Sequence, residues 1–116
     1  MSLNLLLDNL WRDVVKLRAG KKCERCGRTE ELHSHHIFER TNFPTRWDLD
    51  NGICLCALCH SIAHKYDDVF KLWVKKIRPV ALMEKRKNSQ EKIDLYITKA
   101  YLEGAKYAYK NQPKLP

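Results

Sequence analysis

Between Cys23 and His64 the chain gathers residues that bind metals and move protons. The run reads CERC, then HSHHIF, then DLDNGICLCALCHSIAH. Cys23-x-x-Cys26 and Cys56-x-x-Cys59 offer four soft thiolates. Four thiolates close a tetrahedral zinc shell with no position left for water, so the task of such a site is folding rather than catalysis. Cys54 is the odd cysteine. It either replaces Cys56 in a C-x-C arrangement or is a buried free thiol on a strand, and the better turn geometry of the CxxC knuckle favours the second reading.

The histidines make a second constellation. His60 and His64 are four apart, so on a helix their rings lie one turn apart on one face and can chelate one ion. His35 and His36 are adjacent, and at the end of a strand their side chains point to opposite sides. One can then ligate a metal while the other faces a substrate. A divalent ion held by His35, His60 and His64 keeps positions open for a phosphate oxygen or water. His36 is then the free imidazole, titrating near neutrality and suited to general-base work. His33 reads as a bystander. The bland alternatives are solvated histidines, or histidines that substitute for cysteines in the zinc site. The joint presence of four cysteines, the His-His pair and the His-x3-His pair argues against both.

These residues need elements to position them. Leu3, Leu6, Leu7, Leu10, Val14 and Leu17 recur at helical spacing, which predicts an amphipathic helix from about Leu3 to Arg18, stopped at Gly20. Lys21 to Gly27 reads as a knuckle turn, Leu32 to Phe38 as a short strand, Glu39 to Asn51 as a polar loop around Pro44, and Ile53 to Cys56 as a second strand. A helix carrying His60 and His64 follows. Asp67 is a candidate N-cap for a helix holding Val69, Phe70, Trp73 and Ile77 and ending at Pro79. Val80 to Lys87 is a further short helix, and Ser89 opens a long one with Ile93, Ile97, Ala100, Tyr101 and Gly104 near one face. The end, Asn111 to Pro116, is expected to fray. There is no internal repeat. The expected organisation is one domain over residues 1–116: an N-terminal helix (1–20), a metal-bearing core (21–66), C-terminal helices (67–110) and a tail (111–116).

With 116 residues the chain has room for one modest core, which a metal clamp would help to hold. Its 22 Lys and Arg against 14 Asp and Glu give a formal charge of +8, which favours a polyanionic partner. No apolar run of about 18 residues supports a membrane. Asp8 and Arg12 interrupt the one apolar N-terminal stretch, so no export signal is expected and the chain reads as cytoplasmic. In a reducing compartment paired CxxC motifs mean metal thiolates rather than disulfides.

The combination CERCG, HSHHI, RWDLDNGICLCALCH and the closing His64 resembles the HNH nucleases of the ββα-metal type, in their four-cysteine form. The likeness runs from about Arg18 to Lys75. The string HIFERTNFPTRWDLDNGICLCALCHSIAH is also similar to phage-encoded HNH proteins, including recombination nucleases of the NinG type. The resemblance implies a small α+β fold: a ββα-metal (His-Me finger) core with structural zinc, flanked by N- and C-terminal helices. It implies that His35 is a metal ligand, His36 the general base, and His60 the helix ligand after the last knuckle cysteine. His64 becomes the third histidine, which only some members have. Asn51 becomes the central Asn, which holds the loop and helps orient the base through a backbone hydrogen bond.

The implied activity is metal-dependent hydrolysis of DNA, double-stranded or branched, with a 5′ phosphate and a 3′ hydroxyl as products. The metal is Mg²⁺ or Mn²⁺, with Zn²⁺, Ni²⁺ or Co²⁺ favoured for tight binding by three imidazoles. The implied setting is a bacterial host cell, in a phage or prophage, as monomer or homodimer. Arg40, Arg46 and Trp47, in the loop beside the active positions, are candidate phosphate or sugar contacts. Arg46 could instead pair with Asp48 or Asp50, and Trp47 reads better as a core anchor. Lys71, Lys75, Lys76, Arg78, Lys85, Arg86 and Lys87 are either a backbone-tracking stretch or a solvated face. Two other functions remain open: a junction-resolving recombination nuclease, and a non-catalytic zinc-ribbon module that binds DNA.

Overall fold

The computed structural model describes residues 1–112; the part of the expected frayed tail over 113–116 lies outside them. The first helix, α1 (Leu3–Arg18), has the predicted bounds. Ser2 caps it, its hydroxyl accepting the Leu5 N–H at 3.1 Å. It ends in a reciprocal pair of bonds, Gly20 N–H to Leu17 O and Lys21 N–H to Lys16 O. That pattern needs a left-handed residue just past the helix, and Gly20 supplies it at φ +69°. Leu7, Trp11, Val14 and Val15 make the buried stripe, and Asp8 is buried with them.

Strands β1 (Leu32–His36) and β2 (Gly52–Cys56) pair antiparallel, with His35 opposite Ile53 and His36 opposite Gly52. Strand β1 is shorter than expected because the Phe38 N–H leaves the ladder for the Asn51 side chain, 2.6 Å away. Alternation then separates the two faces of the ribbon. Ser34 and His36 lie on the α1 side, where the Ser34 hydroxyl donates to Arg12 O at 2.8 Å and His36 stacks on Trp11. Ile53 and Leu55 lie on the other side, under α2 (Ala57–Lys65) and α3 (Asp67–Val74).

Two apolar clusters follow from this. One holds Ile53, Leu55, Ala63, Phe70, Val74 and Met83 with the buried knuckle cysteines. The other holds the α1 stripe with Trp47, Leu49, Cys54 and Leu102 of α5 (Leu95–Lys110). Both faces of β2 are covered, so all five of its residues are buried.

Helix boundaries also differ from the expectation. Helix α3 stops at Val74 rather than near Pro79, because the N–H groups of Ile77 and Arg78 turn back to Val74 O. Asp67 sits in its first turn, paired with Lys71 at 2.9 Å, and does not cap it. The last helix opens at Leu95 and not at Ser89. Asp94 Oδ1 accepts from both Tyr96 and Ile97, while Ser89 closes only a local turn with Glu91. The short helix α4 (Val80–Lys87) falls where predicted. No described helix is long and apolar enough to cross a membrane.

The outer edge of β2 is plugged. The Glu24 N–H donates to Cys54 O and the Glu24 carboxylate accepts the Cys54 N–H, both at 2.8 Å. Arg18 and Arg78 both donate to Gly52 O, at 2.7 and 3.0 Å, and Arg78 pairs with Glu24 at 2.7 Å.

Gly52 is required by a close approach. A Cβ there would meet Val15 Cγ2 at 2.4 Å and Trp11 Cζ2 at 2.8 Å. Gly52→Ala should therefore lower stability by about 1–3 kcal/mol, the usual cost of overpacking. A urea midpoint unchanged from wild type would show that α1 can retreat freely.

Candidate metal centres and active site

Cys23, Cys26, Cys56 and Cys59 bring their sulfurs within 4.8 Å of one another. Cys26 and Cys56 are 3.6 Å apart. Sulfurs at the corners of a tetrahedron of 2.3 Å zinc bonds are separated by roughly 3.8 Å, so the spacing fits ligands around one ion. The first knuckle is closed by Gly27 N–H to Cys23 O, and the second opens α2, where Cys56 Sγ accepts the Cys59 N–H. Burial, with the sulfur neighbours Cys56, Cys23 and Cys26 behind it, pushes the Cys59 thiol up to about 12 against an opposing contact from Arg25. Four convergent thiols with this spacing are a donor set that suits zinc. Cys54 lies outside the cluster, fully buried in the α1 layer, and burial and then Glu24 push its thiol up to about 11. It is the buried free thiol of the two readings.

His35, His60 and His64 also bring one ring nitrogen each within 4.8 Å. His60 and His64 project from one face of α2 with their Nε2 atoms 3.0 Å apart. Two lone pairs cannot face each other at that distance, so a proton or a cation lies between them. Burial and then the neighbouring imidazoles push His35 down to about 4, and burial lowers His60 as well. Both are therefore neutral near pH 7, the form that ligates. His35, at 8 % exposure, packs edge-on against Phe70. The three imidazoles suit a divalent cation.

His33, set aside in the sequence as a bystander, shares the His35 face of β1. Its ring lies against His60 with centroids 5.0 Å apart and 28° between planes. Period-two alternation is the sequence signal that would have found it.

His36 stands apart from the three-imidazole group. Its ring lies flat on Trp11, with centroids 3.8 Å apart and 9° between planes. Its Nε2 is 2.9 Å from Arg46 O. A carbonyl only accepts, so Nε2 carries the hydrogen and Nδ1 holds the lone pair in the neutral ring. Burial lowers its pKa, opposed by that hydrogen bond. The carbonyl that receives the ring N–H is thus that of Arg46, not of Asn51. Asn51 is fully buried and holds the loop: its Oδ1 accepts from Phe38 N, and its Nδ2 donates to Phe38 O and Thr45 O.

The loop arginines also find a partner that the sequence did not suggest. Arg46 donates through Nε and Nη2 to both oxygens of Asp8, at 3.0 and 2.7 Å, rather than pairing with Asp48 or Asp50. Those two carboxylates take Arg86. Arg46 is 16 % exposed and committed; Arg40, 54 % exposed, gives Asp8 one contact at 2.9 Å. Trp47 is a core anchor whose Nε1 donates to Asp8 at 2.9 Å. Within the basic stretch, Lys71, Arg78 and Arg86 are paired with carboxylates.

Burial alone would raise the Asp8 carboxyl, but hydrogen bonds from Arg46, Arg40 and Trp47 outweigh it and hold it well below the usual carboxylate range. Its pKa is depressed on folding, so its stabilisation is complete above the unfolded value of about 3.9 and is lost as pH falls below it. The stability gap between wild type and Asp8→Asn, measured by urea unfolding, should therefore be full at pH 6 (roughly two units above that value) and shrink below it. A gap independent of pH would refute the charge-based account.

Residues 23–66 match the sequence model of a family described as HNH endonuclease. No curated protein and no solved structure matches the chain. The matched segment contains both candidate ligand clusters, β1, β2 and α2, and these elements make up the ββα-metal core of an α+β fold.

Proposed function

We propose that this chain, which carries an HNH endonuclease domain over residues 23–66, is a metal-dependent nuclease that hydrolyses phosphodiester bonds of DNA. The observation that carries the proposal is the division of the histidines. His35, His60 and His64 converge as candidate ligands from β1 and α2, while His36 is held apart with one ring nitrogen tied to a carbonyl and Nδ1 left as the lone-pair nitrogen. A zinc-ribbon module would need neither group.

A scissile phosphate lying across the end of β1 would meet His35 on one side and His36 on the other. His36 takes a proton from water at Nδ1, and the water oxygen attacks phosphorus as the bond to the 3′ oxygen breaks. The leaving oxygen is protonated from solvent, giving a 5′ phosphate and a 3′ hydroxyl. A divalent cation held by His35, His60 and His64 would supply Lewis-acid relief of the negative charge that develops on the phosphate. Asn51 keeps the loop closed over the end of the strand, and Arg40 keeps donors free for a neighbouring phosphate. The four thiolates hold zinc and fix the start of α2, on which two of the ligands stand. One site per chain implies nicking unless two chains act together.

The test is conversion of supercoiled plasmid with Mg²⁺, Mn²⁺, Ni²⁺ or EDTA. Nicked or linear product that depends on the metal is the expected result. Binding without cleavage of linear, supercoiled or branched DNA under any metal would leave the zinc-module reading instead.

A further inference from the structure

The base His36 and the Arg46 carbonyl that receives its N–H lie inside the family-matched segment, but Trp11, which stacks on the ring, and Asp8, which clamps Arg46, lie outside it. We propose that α1 is the positioning element of the active site: Trp11 and Asp8 fix the plane and the tautomer of the His36 ring. The proposal rests on the nuclease reading for its catalytic consequence, though not for its geometry.

Trp11 sets the plane. It is 1 % exposed, and its indole lies parallel to the imidazole at 3.8 Å. The indole is itself fixed at two places. Nε1 donates to Asp48 O at 3.0 Å, and the ring rests against the bare Cα of Gly52, the residue opposite His36 in the ribbon. A ring clamped this way can rotate only by breaking the stack.

Asp8 sets the tautomer. The carbonyl that receives the His36 N–H belongs to Arg46, whose guanidinium is clamped on both oxygens of Asp8. Asp8 Oδ1 also accepts from Trp47. Four successive loop residues are therefore pinned: Thr45 O by Asn51, the Arg46 and Trp47 side chains by Asp8, and Asp48 O by Trp11. Three of the four anchors come from α1. The loop carbonyl can then stay in register with the ring, and the proton stays on Nε2. Neither residue needs to touch DNA, so both are positioning residues, and their effect should appear in kcat rather than in KM.

The experiment uses the full, zinc-loaded chain and four proteins: wild type, Trp11→Leu, Trp11→Phe and Asp8→Asn. Trp11→Leu keeps apolar volume and loses the stack; Trp11→Phe restores a flat ring. Asp8→Asn is nearly isosteric and cannot accept from three donors in the same way. For Trp11→Leu and Asp8→Asn, kcat should fall on the order of 10²-fold with KM little changed, and Trp11→Phe should recover most of the loss. Folded Trp11→Leu protein that keeps wild-type kcat, or that changes KM alone, would overturn the proposal.

Long-range ¹H–¹⁵N NMR of wild-type protein tests the same point without relying on a variant that folds or on cleavage. The neutral His36 ring should be the Nε2–H tautomer with a slowly exchanging proton. An Nδ1–H ring, or a ring averaging between tautomers, would overturn it. If wild-type protein cleaves no DNA, the nuclease reading fails and the tautomer still decides the positioning.

Discussion

His36→Ala should lower the plasmid cleavage rate by about 10²–10⁴-fold, the range that one well-placed general base supplies. The expectation follows from three features of that ring. Its Nε2 is occupied by Arg46 O, so Nδ1 is the free base. Burial lowers its pKa, which keeps it unprotonated at neutral pH. His35, His60 and His64 are grouped as candidate ligands, and His33 lies against His60 on the other face of β1, so none stands beside the His36 position. Zinc content and DNA affinity should stay near wild type, because His36 belongs to neither ligand cluster. His35→Ala should give the complementary pattern, losing cleavage together with tight binding of the second metal. A His36→Ala protein that nicks plasmid at close to the wild-type rate would show that the proton goes elsewhere.

The largest expected effect on folding is that of Cys56→Ser. Cys56 ends β2, offers a thiolate to the four-sulfur cluster and caps α2 by accepting the Cys59 N–H. Serine keeps a capping oxygen, so the substitution isolates the loss of the ligand. Structural zinc sites are worth roughly 10–16 kcal/mol at neutral pH, against about 5–15 kcal/mol for the net stability of a whole domain. Losing one of four thiolates removes a share that a core this small cannot replace. The variant should hold no stoichiometric zinc and give no cooperative thermal transition. The second metal site should go with it, because His60 directly follows Cys59 on α2. A zinc-free variant that still melts cooperatively near the wild-type temperature would mean that the apolar clusters suffice.

The two side-chain clusters were legible in the sequence because each depends on spacing along one element: two residues between paired cysteines in a knuckle, three between histidines on a helix, adjacency on a strand. The bounds of α1 were legible for the same reason, since the apolar stripe and Gly20 are local signals. What escaped was long-range. Asp8 and Arg46 are separated by 38 positions and Trp11 and Asp48 by 37, and no pattern in either segment points to the other. An aspartate beside an apolar stripe looks like a solvated residue. Only its three donors, from a loop far along the chain, reveal it as buried. The early end of α3 and the late start of α5 were missed because backbone turns at Ile77 and Arg78 and the Asp94 cap outweighed helical periodicity. His33 was set aside as a chance histidine, although the strand assigned from Leu32 to Phe38 already put it two positions from His35 and on the same face.

The plugged edge of β2 bears on how copies of this protein can meet. A two-stranded ribbon ordinarily invites a third strand, since unpaired peptide groups form a template for edge-to-edge association. On β2 that template is consumed. Glu24 satisfies both the N–H and the C=O of Cys54, and two guanidiniums cover Gly52 O. An incoming strand would have to displace the Arg78–Glu24 ion pair and leave half-buried charges without partners, which is unfavourable. The ribbon therefore cannot be extended at β2 into a sheet shared between chains. If the chain is the nuclease proposed above, a pair of copies cutting both strands of a duplex could not be joined through that edge, and each hairpin would stay a discrete unit.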